Sequence, residues 1–445
     1  MKQQDNYTFL TTAPIHRVIL TMAIPTIVSM LVTSLYNIAD TFFVGQINTQ
    51  STAAVGVVFS VMFFIQAVGF FFGHGSGNYI SRELGAKHME NAERMASNGF
   101  FLSLLTGLLI LIVGEWLLTP LCIWLGSTPT ILPYAEQYMG IVLLGAPLLT
   151  SSLTLNNQMR LQGNARLAMY GIVAGAVFNV LLDPLFIFVF DMGVAGAAVA
   201  TVVGQAVSFF ILLRMTHRSE NISIRLRLFS PTWQVLKEIF YGGSPSLSRQ
   251  GLGCVATISL NVVAGRYGDA AIAAMSIVSR ITMLVMSVVI GLGQGFQPLC
   301  GFCYGAKLYK RLWSAYGFTV KVGTLFLLIF SVSCFLFSEQ VIAVFRNDAD
   351  VIAIGAVALN WQLLTLPLLA VILMSNMLTQ TCRKPLRANI LAAARQGLFF
   401  VPLILTLPSF YGLKGVEMCQ AWSDVCSFLL TVPVMIYTYR EFFAK

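Results

Sequence analysis

Charge is what this sequence has least of. Only 10% of its 445 residues are Asp, Glu, Lys or Arg, against roughly a quarter in an ordinary soluble domain, and the shortage excludes a conventional water-exposed surface. Histidine is scarce as well: His16, His74, His88 and His217 stand apart, with no H-E-x-x-H zinc motif, and no G-x-S-x-G elbow occurs. The eight cysteines are scattered, mostly in apolar runs. Their one C-x-x-C, Cys300 with Cys303, lacks the four ligands of a structural zinc site and the βαβ setting of a redox motif. Gly69 to Gly77 follows no strand and carries no G-x-x-x-x-G-K-[ST], so it is not a phosphate loop. No catalytic constellation is left, and neither an enzyme activity nor a cofactor is expected. Met1 to Pro14 reads as a short polar tail without the order of a signal peptide.

What the chain has instead is apolar length. With 57% hydrophobic residues, it contains twelve segments of the roughly 20 residues needed to cross a hydrocarbon core of about 30 Å. They fall near 16–44, 52–80, 95–118, 133–156, 167–190, 194–215, 238–265, 271–299, 313–337, 351–379, 385–408 and 413–437. The expected fold is an all-α integral membrane protein of twelve transmembrane helices in the lipid bilayer. A net charge of +9 would suit nucleic acid, but the placement of the basic residues points elsewhere. Twenty of the 27 Lys and Arg fall in the termini and alternate loops, three (Arg266, Arg346, Lys414) on the opposite side, and four within spans. By the positive-inside rule both termini are expected in the cytoplasm, and no nucleic-acid partner is expected.

The sequence repeats. A shift of 220 residues sets Pro25 on Pro245, Gly45 on Gly265, Gly73 on Gly293, Gly75 on Gly295 and Gly85-Ala86-Lys87 on Gly305-Ala306-Lys307; further on, at 219, Gly193 meets Gly412 and Gly196 meets Gly415. Six spans per half is an even number, so the repeat is parallel. The predicted division is a first bundle over 1–215, a linker over 216–237 and a second bundle over 238–445.

The first half carries acids that lipid does not tolerate. Asp40 lies in an apolar run on one helical stripe with Thr33, Tyr36 and Asn37, and Asn179 and Asp183 share a face at i and i+4. An acid at the centre of a span costs roughly 2.5 to 3.5 kcal/mol, which marks a functional site. Pro184 frees the carbonyl of Val180 beside the carboxylate, and Thr201 in the next span is the natural hydroxyl partner. Asp40, Asn179, Asp183 and Thr201 make an all-oxygen set suited to Na+ or a shared proton. At the repeat positions stand Leu260 and Val401, so the pair belongs to the first half alone. In the second half Asp424 sits mid-span with Arg249, Arg280 and Arg395 as candidate partners, which reads as a structural ion pair or, alternatively, as part of binding or gating. Asn156, Asn157, Gln158 and Arg160 close the fourth span, either lining a cavity or forming a polar helix end.

Together, the twelve spans in two parallel halves, Pro25 opening helix 1, the two Gly-Ala-Lys turns and Leu182-Asp183-Pro184 resemble the multidrug and toxic compound extrusion family. The likeness covers nearly the whole chain and is greatest to the prokaryotic branch with its cation site in the amino-terminal bundle. The resemblance implies a V-shaped pair of pseudo-symmetric bundles, cation coupling at Asp40, Asn179, Asp183 and Thr201, and a drug cavity near Tyr36, Asn37 and Tyr138, with Asn156 and Asn157 added from the polar run. It implies alternating-access exchange of lipophilic or cationic organic compounds for H+ or Na+, in a monomer of the cell membrane. Acids that another bacterial branch carries on helices 7 and 10 are missing here. The alternative is a lipid-linked precursor flippase of the same broad architecture, which would need several cations in its cavity; the first half has no mid-span Lys or Arg.

Overall fold

The computed structural model describes residues 3–217 and 221–443; of the twenty basic residues counted above, Lys2, Arg218 and Lys445 lie outside them. Among the described residues, nine helices are long and apolar enough to span a membrane unbroken. They include the first span (Ile15–Gly45), the second (Thr49–Gly85), the third (Met89–Trp116), the sixth (Gly193–Thr216), the eighth (Asp269–Gly305), the ninth (Tyr309–Leu336) and the twelfth (Leu413–Phe443). The fifth (Ala165–Pro184) continues through a π turn, Leu185–Val189, and the eleventh contains another, Ala394–Phe399. Two more spans are bent pairs. The fourth (Leu132–Leu144 and Ala146–Leu161) turns by 47° and the tenth (Ala349–Thr365 and Leu368–Thr381) by 57°. Pro147 and Pro367 stand just past these breaks, 220 residues apart, where a missing N–H removes a rung of the helix ladder. The seventh span (Trp233–Ala264) completes twelve; Lys237, Glu238 and Arg249 make it less apolar than the rest, but it packs along the second.

Several sequence expectations shift here. Pro25 does not open the first helix but lies inside it, as Pro245 lies inside the seventh. Trp233 to Lys237, read as linker, form the first turns of the seventh span, because Thr232 caps its N-terminus by accepting from Val235 N. The rest of the described linker is stitched to the first bundle: Ile222 N donates to Gln162 Oε1, Arg225 N to Ser97 Oγ and Ser230 N to Asn98 Oδ1.

The repeat is visible in the backbone. Lys87 and Lys307 both take left-handed conformations, φ 64° and 59°, and Gly193 and Gly412 do so ahead of the sixth and twelfth spans, φ 56° and 60°. At Lys87 and Lys307 the turn closes a helix with the six-to-one bond of a Schellman motif, His88 N to Glu83 O and Leu308 N to Cys303 O.

The halves meet at the end that carries the Gly-Ala-Lys turns. There the pseudo-twofold axis passes close to Ser81 and Gly301, which touch. A Cβ on Gly85 would lie 2.3 Å from Phe302 O, and one on Gly305 2.0 Å from Arg82 O, a mated pair of contacts since 82 and 302 also differ by 220. Only glycine lets the two backbones approach so closely. Arg82 Nη2 pairs with Glu238 Oε2 at 3.2 Å and Nη1 donates to Thr381 O, while Arg383 holds the other oxygen of Glu238 at 2.5 Å. Arg82 and Arg160, counted above as loop cations, are in fact buried in this seam. Moving away from that end, the last hydrogen bond between the halves among the described residues is Ser34 to Ser287, 2.8 Å. Beyond it the bundles part, giving a V.

Replacing Gly305 by Ala is expected to lose about 1 to 3 kcal/mol of stability through overpacking, whereas Gly317→Ala, inside a helix with open space around it, should leave stability unchanged or raise it by up to about 1 kcal/mol. Thermal unfolding of the purified protein in detergent checks the difference.

Candidate functional site

Small residues set the geometry of the first bundle's interior. Gly175 and Gly204 bring the fifth and sixth spans together, a Cβ on either falling 2.6 to 2.7 Å from the other's carbonyl oxygen, and Gly196 makes the same approach to Phe186. Between those contacts Asn179 Nδ2 donates to Thr201 Oγ1 at 3.3 Å, and Thr201 donates to Ala197 O. Asp183, one turn beyond Asn179, is 0% exposed and is followed by the π turn after Pro184. Asp40 reaches in from the first span. It lies within reach of the charge of Asp183, and Tyr36 and Tyr138 lie within reach of both acids.

These acids lack what buried acids normally have. Asp40 Oδ1, Asn179 Oδ1 and both oxygens of Asp183 are buried and accept no hydrogen bond among the described residues. Four acceptor oxygens without a donor are chemically suited to a cation or to protons, since leaving even one such group unmet costs about 1 to 3 kcal/mol. Among the described residues there is no group of three or more His, Cys, Asp and Glu that would hold a metal ion in the usual way.

The second half is different. Asp424, 1% exposed, accepts from Arg395 Nε at 2.7 Å and Gln420 Nε2 at 2.9 Å, and Thr365 Oγ1 lies 3.4 Å from its other oxygen. The π turn Ala394–Phe399 holds Arg395 at this position, and Ser423 Oγ donates to the Arg395 carbonyl. Of the three candidate partners only Arg395 pairs with Asp424. Arg249 donates instead to Asn376 Oδ1 at 3.0 Å, and Arg280 is exposed on the eighth span and makes no ion pair among the described residues. Thus Asp424 has a full complement of donors.

The polar run of the fourth span divides. Asn156 donates to Ala168 O and lines a narrow pocket with Thr26, Ser29 and Thr33. Asn157 does not line it: it lies under Gly73, donates to Leu153 O and accepts from Arg160 Nη2. Asn37 donates to Thr33 O in its own helix. Sequence reasoning missed the seam chemistry built on His74, Arg82, Arg160 and Glu238. Its one signal was that Arg160 ends a run of three carboxamides.

A repeat of two six-helix bundles, parted at one end over a buried acid pair, defines a membrane transport protein. The MatE family profile matches residues 25–185 and 246–406, one match per half, and the chain belongs to that family. It is 25% identical over 449 residues to the multidrug export protein MepA of Staphylococcus aureus, with 99% of this chain and 97% of the relative covered, and equally to MepA of Staphylococcus saprophyticus. Among solved structures, a MATE protein in complex with MaL6 aligns with a TM-score of 0.93 at 26% identity over 99% of both chains. The outward-facing conformation of a multidrug resistance MATE family transporter aligns with a TM-score of 0.92 at 27% identity over 98% of both.

The contrast between the acids predicts opposite effects on folding. Asp424→Ala strands Arg395 and is expected to cost about 3 to 5 kcal/mol, while Asp183→Asn removes an unmet carboxylate and should leave stability unchanged or raised. Denaturation midpoints of the two variants in the same detergent measure this.

Proposed function

We propose that the chain is a secondary active multidrug efflux transporter that exchanges lipophilic or cationic organic compounds for H+ or Na+ across the cell membrane. The reading is carried by one observation: the four donorless oxygens of Asp40, Asn179 and Asp183. Relatives that match along their whole length are multidrug export proteins, and for that reason the flippase alternative is not favoured. The bias of basic residues supports a cytoplasmic position for the packed seam and both termini, with the open side of the V outside. The chain is taken to act as a monomer in a bacterial inner or plasma membrane, with no cofactor beyond the coupling ion.

In this mechanism the ionised acids hold an organic cation by charge, with Tyr36 and Tyr138 beside it. Entry of H+ or Na+ from outside neutralises the pair, the drug leaves, and the bundles rock to release the ion inward. One charge moving down 100 mV supplies about 2.3 kcal/mol, and a tenfold ion gradient about 1.4 kcal/mol more. Release of the ion to the cytoplasm requires the seam to open, breaking Arg82–Glu238 and the contacts at Gly85 and Gly305.

Asp40→Asn and Asp183→Asn are expected to fold and to lose coupled ethidium efflux by at least about tenfold in proteoliposomes. Imposing first a pH gradient and then a Na+ gradient on the wild type identifies the coupling ion. Normal efflux by either variant sinks the mechanism.

A further inference from the structure

Below the acid site the structure holds a second polar pocket, and its chemistry is of the opposite sign. Arg160, 2% exposed, stands at the floor of the narrow pocket lined by Asn156. Its guanidinium has no carboxylate partner among the described residues. Nη1 donates to Gln294 O at 2.6 Å and to Gln297 Oε1 at 3.1 Å, and Nη2 donates to Asn157 Oδ1 and to His74 Nε2 at 3.4 Å. Accepting at Nε2 fixes His74 as the neutral Nδ1–H tautomer, whose proton faces Phe70 O at 3.2 Å and Ser246 Oγ at 3.1 Å. Arg249 lies close enough for its charge to be felt at His74. The floor therefore carries the Arg160 guanidinium with no carboxylate beside it among the described residues.

Two sets of donors are left over. Arg160 Nε is buried without an acceptor. Gln294, 4% exposed, lines the same pocket from the second half, Gln66 lines it from the first, and neither side-chain amide has a hydrogen-bond partner among the described residues. Thr26, Ser29 and Thr33 present hydroxyl oxygens whose protons go to their own helix. Met30, Phe70, Met169 and Ile172 supply apolar walls. An uncompensated buried guanidinium is costly, and its one unpartnered N–H, at Nε, with free amides beside it suits a carboxylate.

We propose that this pocket is an anion subsite, which takes the carboxylate of an amphipathic organic substrate whose apolar body lies against Phe70, Met30 and Met169. Thr33 and Asp40 are seven residues apart on the first span, about 10 Å at the rise of an α-helix. A zwitterion is then met by acids at one end and by Arg160 at the other. The proposal deepens the efflux reading and rests on it for transport, but binding is judged separately.

The test uses two fluorescent probes with one aromatic body, 1-pyrenebutyrate and 1-pyrenebutylamine, titrated against the full chain in nanodiscs of neutral lipid in a gluconate buffer. Saturable binding of pyrenebutyrate is expected, weakened at least about tenfold in Arg160→Gln, which is about 1.4 kcal/mol. Binding is partly kept in Arg160→Lys and weakened in Gln294→Leu, and pyrenebutylamine affinity is unchanged by these variants. Gln66→Leu and Gln294→Leu carry the test should Arg160→Gln fail to fold. Equal pyrenebutyrate affinity in wild type and variants, or only unsaturable partitioning, overturns the proposal. Displacement of the probe when chloride replaces gluconate overturns the assignment to a substrate carboxylate, because the occupant is then a halide. Asp183→Asn is expected to keep pyrenebutyrate binding, so a failure of the coupling mechanism and a failure of this subsite give different results.

Discussion

A charge taken out of water must find a partner, and this fold is arranged by how each buried charge does so. Glu238 is held between Arg82 and Arg383, Asp424 is held by Arg395, and both sites are closed by hydrogen bonds from neighbouring helices. Arg160 is satisfied in part by neutral acceptors drawn from both halves. Among the described residues, Asp40 Oδ1 and both oxygens of Asp183 are buried with no donor. In a low-dielectric interior this difference is large, because a paired charge is fixed in place and an unpaired one depends on what diffuses in. The paired groups therefore fix helices against one another, and the two acids carry oxygens that no donor among the described residues holds.

The duplication shows how one scaffold came to carry two kinds of interior. Both halves keep the glycines that let helices touch, the prolines that bend the fourth and tenth spans, and the left-handed turns at Lys87 and Lys307. These features answer to backbone geometry, which the two halves share. The interior polar residues are shared only in part: Asn156 and Asn376 make the same bond, to Ala168 O and Ala388 O. Thr201 in the first half corresponds at a shift of 219 to Gln420 in the second, and Gln420 serves an ion pair instead of an acid pair. The second bundle thus keeps a polar centre of similar location, with its charge already neutralised from within.

The fold was legible because lipid imposes a length and a polarity on each span, and because the repeat gave an internal check at Pro25, Gly73 and Gly85. Asp40, Asn179 and Asp183 were legible for the same reason: an acid in an apolar run stands out, and a spacing of four puts two side chains on one face. Other features depended on contacts that no local pattern records. Arg249 and Arg280 looked equivalent to Arg395, but only a π turn in the eleventh span gives Arg395 its reach to Asp424. Arg82 and Arg160 lie beside loops in the sequence and were counted with them, yet docking of the two halves buries both. The seventh span starts before residue 238, since Trp233 to Lys237 look like linker until the Thr232 cap is seen.

The connection between the bundles has a mechanical meaning. From Ile222 to Ser230 its backbone is tied to the third and fourth spans, so this stretch travels with the first bundle as part of one rigid piece. Only Pro231 and Thr232 separate the last tie from the start of the seventh helix, and three steps of extended chain reach no more than about 10 Å. So short a tether behaves as a pivot: the bundles are free to tilt about it, but at that edge they cannot move apart.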